Sequence, residues 1–212
     1  MYLYGIQLDN GDGVAMNKPA ACMYYKMAAD RGYVDAMVNY AISVDKGDGV
    51  PVNKPEAAMY YKMAADAGSA KAMHAYAVTV DNGDGVPVDK RSAAYYYQMA
   101  IENGNQNSIF NYAVMLDKGD GIPENKQEAV RLFKMDADNG SPKSMLMYGF
   151  HLIKGEGIAK NQDLGLLYIK KAAEMGHPDA IDICNELDIK LDKKTTARGT
   201  NNTSSSKCCL LI

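Results

Sequence analysis

Residues Ala36–Gly68 read AMVNYAISVDKGDGVPVNKPEAAMYYKMAADAG, a stretch onto which two helices and an intervening glycine loop can be drawn directly. Ala36, Met37, Tyr40, Ala41 and Val44 recur at the steps of one face of an α-helix, and the pattern ends near Lys46. Gly47 and Gly49 then permit backbone angles that a side chain would forbid, so Val50 can return to the core. Asn53 is a good helix N-cap, Pro55 is tolerated in the first turn, and Glu56 stands where it completes a capping box. The second helix is predicted from about Lys54 to Ala67, with Gly68 taking the left-handed conformation past its end. Its face of Ala57, Tyr60, Tyr61, Ala64 and Ala65 alternates large and small. Small residues let helices approach closely, and tyrosine rings fill what space remains.

The stretch is one copy of several. Gly-Asp-Gly stands at Gly11–Gly13, Gly47–Gly49, Gly83–Gly85 and Gly119–Gly121, and Gly-Glu-Gly at Gly155–Gly157, each 36 residues after the last. Gly32, Gly68, Gly104, Gly140 and Gly176 keep the same period. So do the columns Tyr24, Tyr60, Tyr96, Leu132, Tyr168 and Ala28, Ala64, Ala100, Asp136, Ala172. The chain therefore divides into a truncated first repeat (1–34), repeats at 35–70, 71–106, 107–142 and 143–178, a capping helix (179–194) and a flexible tail (195–212). Duplication also explains an uneven composition: 15 Tyr and 14 Met against 3 Phe and no Trp, and 19 Gly in a chain of helix-forming character.

The succession Ala-Met, Tyr-Ala, Gly-Asp-Gly-Val, Lys-Pro-Glu-Ala, Tyr-Tyr-Lys-Met-Ala-Ala and Gly resembles the Sel-1-like repeat, a relative of the tetratricopeptide repeat. The resemblance covers residues 1 to about 189. Tetratricopeptide units differ in period and lack the glycine loop. The resemblance implies an all-α fold, an α/α solenoid of helix pairs wound as a right-handed superhelix, whose concave side takes partner proteins. Periodicity by itself establishes only stacked helix pairs.

The ends depart from the repeat. Met1 aligns with Met37, so the first helix lacks its opening residues; this leaves the apolar face of the second repeat poorly covered and suggests a longer product. At the other end Asp179-Ala180-Ile181 aligns with Asp35-Ala36-Met37, but Asn185, Glu186 and Asp188 replace small or apolar residues, as in a polar capping helix. Asp136 interrupts a small-residue column and is expected at a solvent-facing kink or beside a tyrosine hydroxyl.

Residues that could carry chemistry are thin. Asp45–Glu56 spans the length of an EF-hand loop, yet Gly47 and Gly49 stand where ligands belong and Val50 stands where the turn needs Gly. The loop aspartates read instead as solvated. No phosphate-cradling motif is present. His74, His151 and His177 fall in three different columns, and a lone helix histidine is expected at the surface or in a groove. Cys22 shares its column with Ala58, Ala94 and Val130 and reads as a small buried side chain. We expect no catalytic residue, no cofactor and no metal. Some secreted relatives of the repeat carry paired cysteines, and this chain lacks those pairs.

A net charge of −3, from 23 basic and 26 acidic residues, does not point to nucleic acid. The longest uncharged run, Asn103–Leu116, carries four Asn and falls short of the roughly 20 apolar residues of a membrane helix. The amino-terminal residues show no secretory signal, so a cytosolic protein is expected. The charge is unevenly placed. Lys190, Lys193, Lys194, Arg198 and Lys207 against Asp192 give the tail +4, which leaves −7 on residues 1–189.

That tail is rich in Thr, Ser, Asn and Gly and ends Lys207-Cys208-Cys209-Leu210-Leu211-Ile212. Cys209 with two aliphatic residues and a final one fits a prenylation box, and Cys208 is a candidate for palmitoylation. One prenyl chain binds membranes weakly, so the second cysteine and the basic residues supply the further signal. The expected function is a non-enzymatic adaptor at the cytosolic face of a membrane. Its partner is an unidentified protein in the concave groove, bound by first-helix residues that vary between copies: Asn39, Ser43, His74, Thr79, Asn111, Met115 and His151. Two alternatives share the resemblance. One is a regulator of a membrane glycosyltransferase, because fungal chitin-synthase activators combine such repeats with a prenylation box and long further regions; the other is a bacterial effector that borrows a host prenyl transferase.

Overall fold

The computed structural model describes residues 1–191. Two compact units divide there, Met1–Leu132 and Phe133 onward, with the boundary inside one helix. Eleven helices are found among the described residues, and no strand. They are α1 (Tyr2–Asn10), α2 (Lys18–Ala29), α3 (Val34–Lys46), α4 (Lys54–Asp66), α5 (Ala70–Asn82), α6 (Lys90–Glu102), α7 (Asn107–Lys118), α8 (Lys126–Asp138), α9 (Pro142–Lys154), α10 (Gln162–Glu174) and α11 (Pro178–Glu186). The helix pair drawn on Ala36–Gly68 is present as α3 and α4, ending within a residue of the expected places.

Local chemistry sets the helix starts. Asn17, Asn53, Asp89, Asn125 and Asn161 each accept the backbone N–H three residues on, at 3.0 to 3.3 Å. The capping box is only half formed. The Asn53 N–H donates to the Val44 carbonyl at 3.0 Å, while Glu56 accepts from the Asn53 side-chain amide and from the Tyr40 hydroxyl. The cap N–H is used in the same way in every repeat, tying the loop back onto the first helix.

In the first unit the tyrosine and alanine columns meet as the alternation requires. Ala57, Tyr60, Tyr61, Ala64 and Ala65 are all buried, against buried Ala36, Met37, Tyr40, Ala41 and Val44. The second loop glycine lies at the seam between repeats. A Cβ added to Gly49 would stand 2.4 Å from the Lys18 carbonyl carbon, and one at Gly85 would stand 2.4 Å from that of Lys54. Since φ is +81° and +76° there, only glycine meets both demands.

In the second unit Ala137, Met145, Leu146, Ile169, Ala172, Ala173, Ala180 and Cys184 form one core. Helices α9 and α10 meet through Gly149 and Gly165, where an added Cβ would lie 2.8 Å and 2.7 Å from the other glycine's carbonyl oxygen. Helix α11 buries Ala180 and Cys184 and leaves Asn185 and Glu186 exposed. It stops at Glu186, and Asp188 follows in the left-handed region at φ 52°.

Two expectations are corrected. Asp136 is neither solvent-facing nor bonded to a tyrosine: it is buried and accepts a hydrogen bond from the buried Ser144 hydroxyl. Aspartate and serine here replace the buried pair Ala64 and Ala72 two repeats earlier in sequence columns, so a buried polar residue has its polar partner supplied with it. At the amino-terminal side the second repeat is well covered, with Met37, Val38 and Tyr40 buried. Exposure falls instead on the first repeat, where Met1, Leu3 and Tyr4 are 57%, 74% and 42% exposed.

Candidate functional site

Four of the five second helices open on a lysine, α10 opening on Gln162, and in the first unit this lysine carries a recurring cluster. Lys18, Lys54 and Lys90 each donate to the aspartate nine residues earlier, Asp9, Asp45 and Asp81, at 2.6 Å. Lys18 and Lys90 also reach forward to the loop aspartates of the next repeat, Asp48 at 3.1 Å and Asp120 at 3.4 Å. The Lys54 ammonium is held above its ordinary value by its bond to Asp45, with burial acting against it and the Asp84 charge adding to it. Asp48 and Asp120 are therefore seam residues rather than freely solvated ones. The lysines are about a third exposed or more, so each pair contributes on the order of 0–1 kcal/mol and the apolar columns dominate the stability.

Behind each lysine lies a buried tyrosine. Tyr25 donates to Asp9 at 3.1 Å and Tyr97 to Asp81 at 3.4 Å. Burial first, and the neighbouring carboxylates second, push the hydroxyls of Tyr25, Tyr61 and Tyr97 well above the ordinary phenol range. A second tyrosine column bonds across the seams, with Tyr60 donating to Asp30 at 2.6 Å and Tyr96 to Asp66 at 2.9 Å. Lys26 lies 5.0 Å from the centre of the Tyr40 ring, a cation–π contact. The sequence signal for these seams is the lysine column at the 36-residue period, with acidic residues at fixed offsets.

The residues expected to bind a partner separate into two sets. Ser43, Thr79, Met115 and His151 form a single column, and all four are buried, which removes them from any binding surface. Thr79 turns its hydroxyl back to the Ala75 carbonyl, and His151 stacks on Phe133 with Nδ1 3.1 Å from the Glu156 carbonyl oxygen. The expected surface histidine is thus a core residue. Asn39, His74 and Asn111 are half-buried. Asn39 donates to the Tyr2 hydroxyl at 3.1 Å and Asn111 to the Tyr97 hydroxyl at 3.2 Å, while His74 Nδ1 lies 2.8 Å from Ser108 Oγ. Burial holds His74 below its ordinary pKa. These three order the helix interface as much as they face outward. Cys208 and Cys209 lie outside the described residues.

Exposed apolar side chains stand instead on the second helices. Met23, Met59, Tyr95 and Leu167 occupy one column, each roughly half exposed, interrupted only by Arg131. Sequence periodicity could have shown this, because the same column that stays apolar in four copies lies off the buried Tyr and Ala columns.

No group of three or more metal-ligating side chains is assembled among the described residues. No described helix is long and apolar enough to cross a membrane. Cys22 and Cys184 are free and buried, and burial, with the Glu56 charge next, pushes the Cys22 thiol up to about 11.

The Sel1 repeat family model matches five consecutive segments, residues 1–33, 34–69, 70–105, 106–141 and 142–177. Among solved structures, a Sel1 repeat protein from Oxalobacter formigenes is 28% identical with a TM-score of 0.80, the match covering 86% of this chain and 75% of that one. The protective antigen c5321 of uropathogenic Escherichia coli, which displays the same repeat fold, is 26% identical with a TM-score of 0.80; the match covers 91% of this chain but 42% of that one. No curated protein sequence matches. With seams, caps and loop glycines recurring at the period of that model, this chain belongs to the Sel1 repeat family, an all-helical solenoid-like fold whose members generally serve as protein–protein interaction scaffolds.

Proposed function

We propose that this protein is a non-enzymatic scaffold that binds a protein partner and is held at the cytosolic face of a membrane by a lipidated carboxyl-terminal tail. The observation that carries the scaffold reading is that four of the five repeats hold an apolar residue, Met23, Met59, Tyr95 or Leu167, in the open at one position of the unit. Apolar residues kept exposed at a repeat period are a cost unless something covers them. The partner-binding face is accordingly assigned to the second helices rather than to the first.

The tether rests on sequence. Cys209-Leu210-Leu211-Ile212 fits a prenylation box if Ile212 ends the cellular protein, Cys208 supplies a second acylation site, and the tail's +4 opposes −7 on residues 1–189. Two measurements test the proposal. Intact mass and membrane fractionation of the wild type beside Cys209→Ser should show a lipid-sized mass and a membrane pool only in the wild type; two unmodified soluble forms would remove the tether. Cross-linked partners of the wild type should be lost in Met23→Lys/Met59→Lys/Tyr95→Lys, and an unchanged set would remove the face. Recovery of a polysaccharide synthase would favour the regulatory alternative.

A further inference from the structure

In the first unit methionine is buried on the first helices and open or half-open on the second. Met37, Met73 and Met115, on α3, α5 and α7, are core residues, 6%, 2% and 3% exposed. On α2 and α4 Met23, Met59 and Met63 are 52%, 50% and 42% exposed, and Met27 and Met99 are half-buried. These second-helix methionines occupy two columns four residues apart, which places them one turn apart on the same side of a helix.

The fold does not need methionine at either column. Arg131 stands in the first and Lys171 in the second, both exposed, and the helices α8 and α10 that carry them form all the same. A polar group at these positions is therefore compatible with the repeat, whereas one at Met37 or Met73 would be forced into the core.

Thioether sulfur is the group on this face that peroxide changes. The sulfur lone pair attacks one oxygen of hydrogen peroxide, an S–O bond forms as the O–O bond breaks, and the other oxygen leaves as water; the sulfur gives up the two electrons that reduce the peroxide. The sulfoxide presents a polar oxygen where an apolar side chain stood. A dithiol reverses the step by supplying two electrons and becoming a disulfide, while the sulfoxide oxygen leaves as water. Cys22 and Cys184 compete poorly for the oxidant, because both are buried and burial raises both thiols away from the reactive thiolate.

We propose that Met23, Met59 and Met63 form a reversible oxidation switch, at which peroxide turns the open face of the second helices polar, releases what is bound there and leaves the repeat folded. The release rests on the scaffold reading; the selective oxidation of a folded chain does not.

The test treats the full chain, carrying Cys208→Ser and Cys209→Ser, with graded hydrogen peroxide and weighs its peptides. Met23, Met59 and Met63 should each gain one oxygen about tenfold faster than Met37, Met73 and Met115. When the three are converted, far-ultraviolet circular dichroism should be unchanged, and retention on a phenyl column should fall and then return after a dithiol-dependent methionine sulfoxide reductase has acted. Met1, Met16 and Met175 are also exposed but lie off the two columns, so Met23→Leu/Met59→Leu/Met63→Leu isolates the face; leucine already holds the first column at Leu167. This variant should keep its retention through the same treatment. Equal rates in the two sets of methionines, loss of helix before the face is converted, or an equal fall in retention in the leucine variant overturns the proposal. Cross-linking separates the two readings. Partners lost on oxidation of the wild type and kept by the oxidised leucine variant support the release. Partners indifferent to oxidation but lost in Met23→Lys/Met59→Lys/Tyr95→Lys overturn the release and leave the scaffold reading standing, and partners indifferent to both overturn the release together with the face.

Discussion

Repeats one to three and repeat five solve the same packing problem with different chemistry. In the former an aspartate, a lysine and a buried tyrosine share one site between the helices of a pair: Asp9, Lys18 and Tyr25; Asp45, Lys54 and Tyr61; Asp81, Lys90 and Tyr97. In repeat five the same columns hold Ile153, Gln162 and Ile169; the column of Ala21, Ala57 and Ala93 becomes Gly165, and that of Gly5, Ala41 and Ala77 holds Gly149, so glycines face each other only in repeat five. Isoleucine is shorter than tyrosine, so the two helices close until backbone meets backbone. The polar site needs all of its members to satisfy buried groups, whereas the apolar one needs only shape.

Five substitutions break or sharpen this contrast. The largest effect is expected at a seam: Gly85→Ala meets both a positive φ and the Lys54 backbone, and should cost about 3 kcal/mol in denaturant unfolding. Gly13→Ala meets only the backbone strain and should cost about 1 kcal/mol. Next, Gly165→Ala should cost about 2 kcal/mol, because its Cβ presses on the Gly149 carbonyl oxygen and Ile153, outweighing the helix propensity gained. A neutral or stabilising outcome would show that the helix pair relaxes apart.

The polar site should be recognised by its pH dependence. Tyr97 is raised in the folded state above the ordinary phenol value, so its contribution is intact below about pH 10 and is lost as pH rises through the folded value. Tyr97→Phe should lose about 1 kcal/mol at neutral pH and then fall less steeply in alkali than the wild type, as read by thermal unfolding across pH. Identical alkaline slopes would count against a buried ionisable tyrosine. Smallest of the five, Lys54→Ala should cost about 0.5 kcal/mol, and the loss should shrink in high salt.

Much of the repeat was legible because its signals are local. Helix faces, the Asn53 cap and the Gly47 and Gly68 turns each depend on residues within one unit, and the 36-residue period checked them five times over. The misreadings arose where a residue answers to another repeat or to both sides of its helix. The 43, 79, 115, 151 column varies from Ser to His and looks like free surface, yet the first helix is covered there and polar members turn inward to the backbone. Asp48 looks solvated in its own loop because its partner, Lys18, sits thirty residues earlier. Asp136 looked anomalous until Ser144 was placed against it.

Lys18, Lys54 and Lys90 are each addressed by an aspartate nine residues before and another thirty residues after, both offsets being shorter than one unit. Excising residues 34–69 would bring Asp84 to the place of Asp48 under Lys18, Tyr76 to that of Tyr40 under Lys26, and Tyr96 to that of Tyr60 beside Asp30. The rejoined chain would present the same side chains in the same register. The number of units is therefore a quantity that gene duplication and deletion can change in whole steps without having to invent a new junction, and binding surface can be lengthened or shortened by the same event.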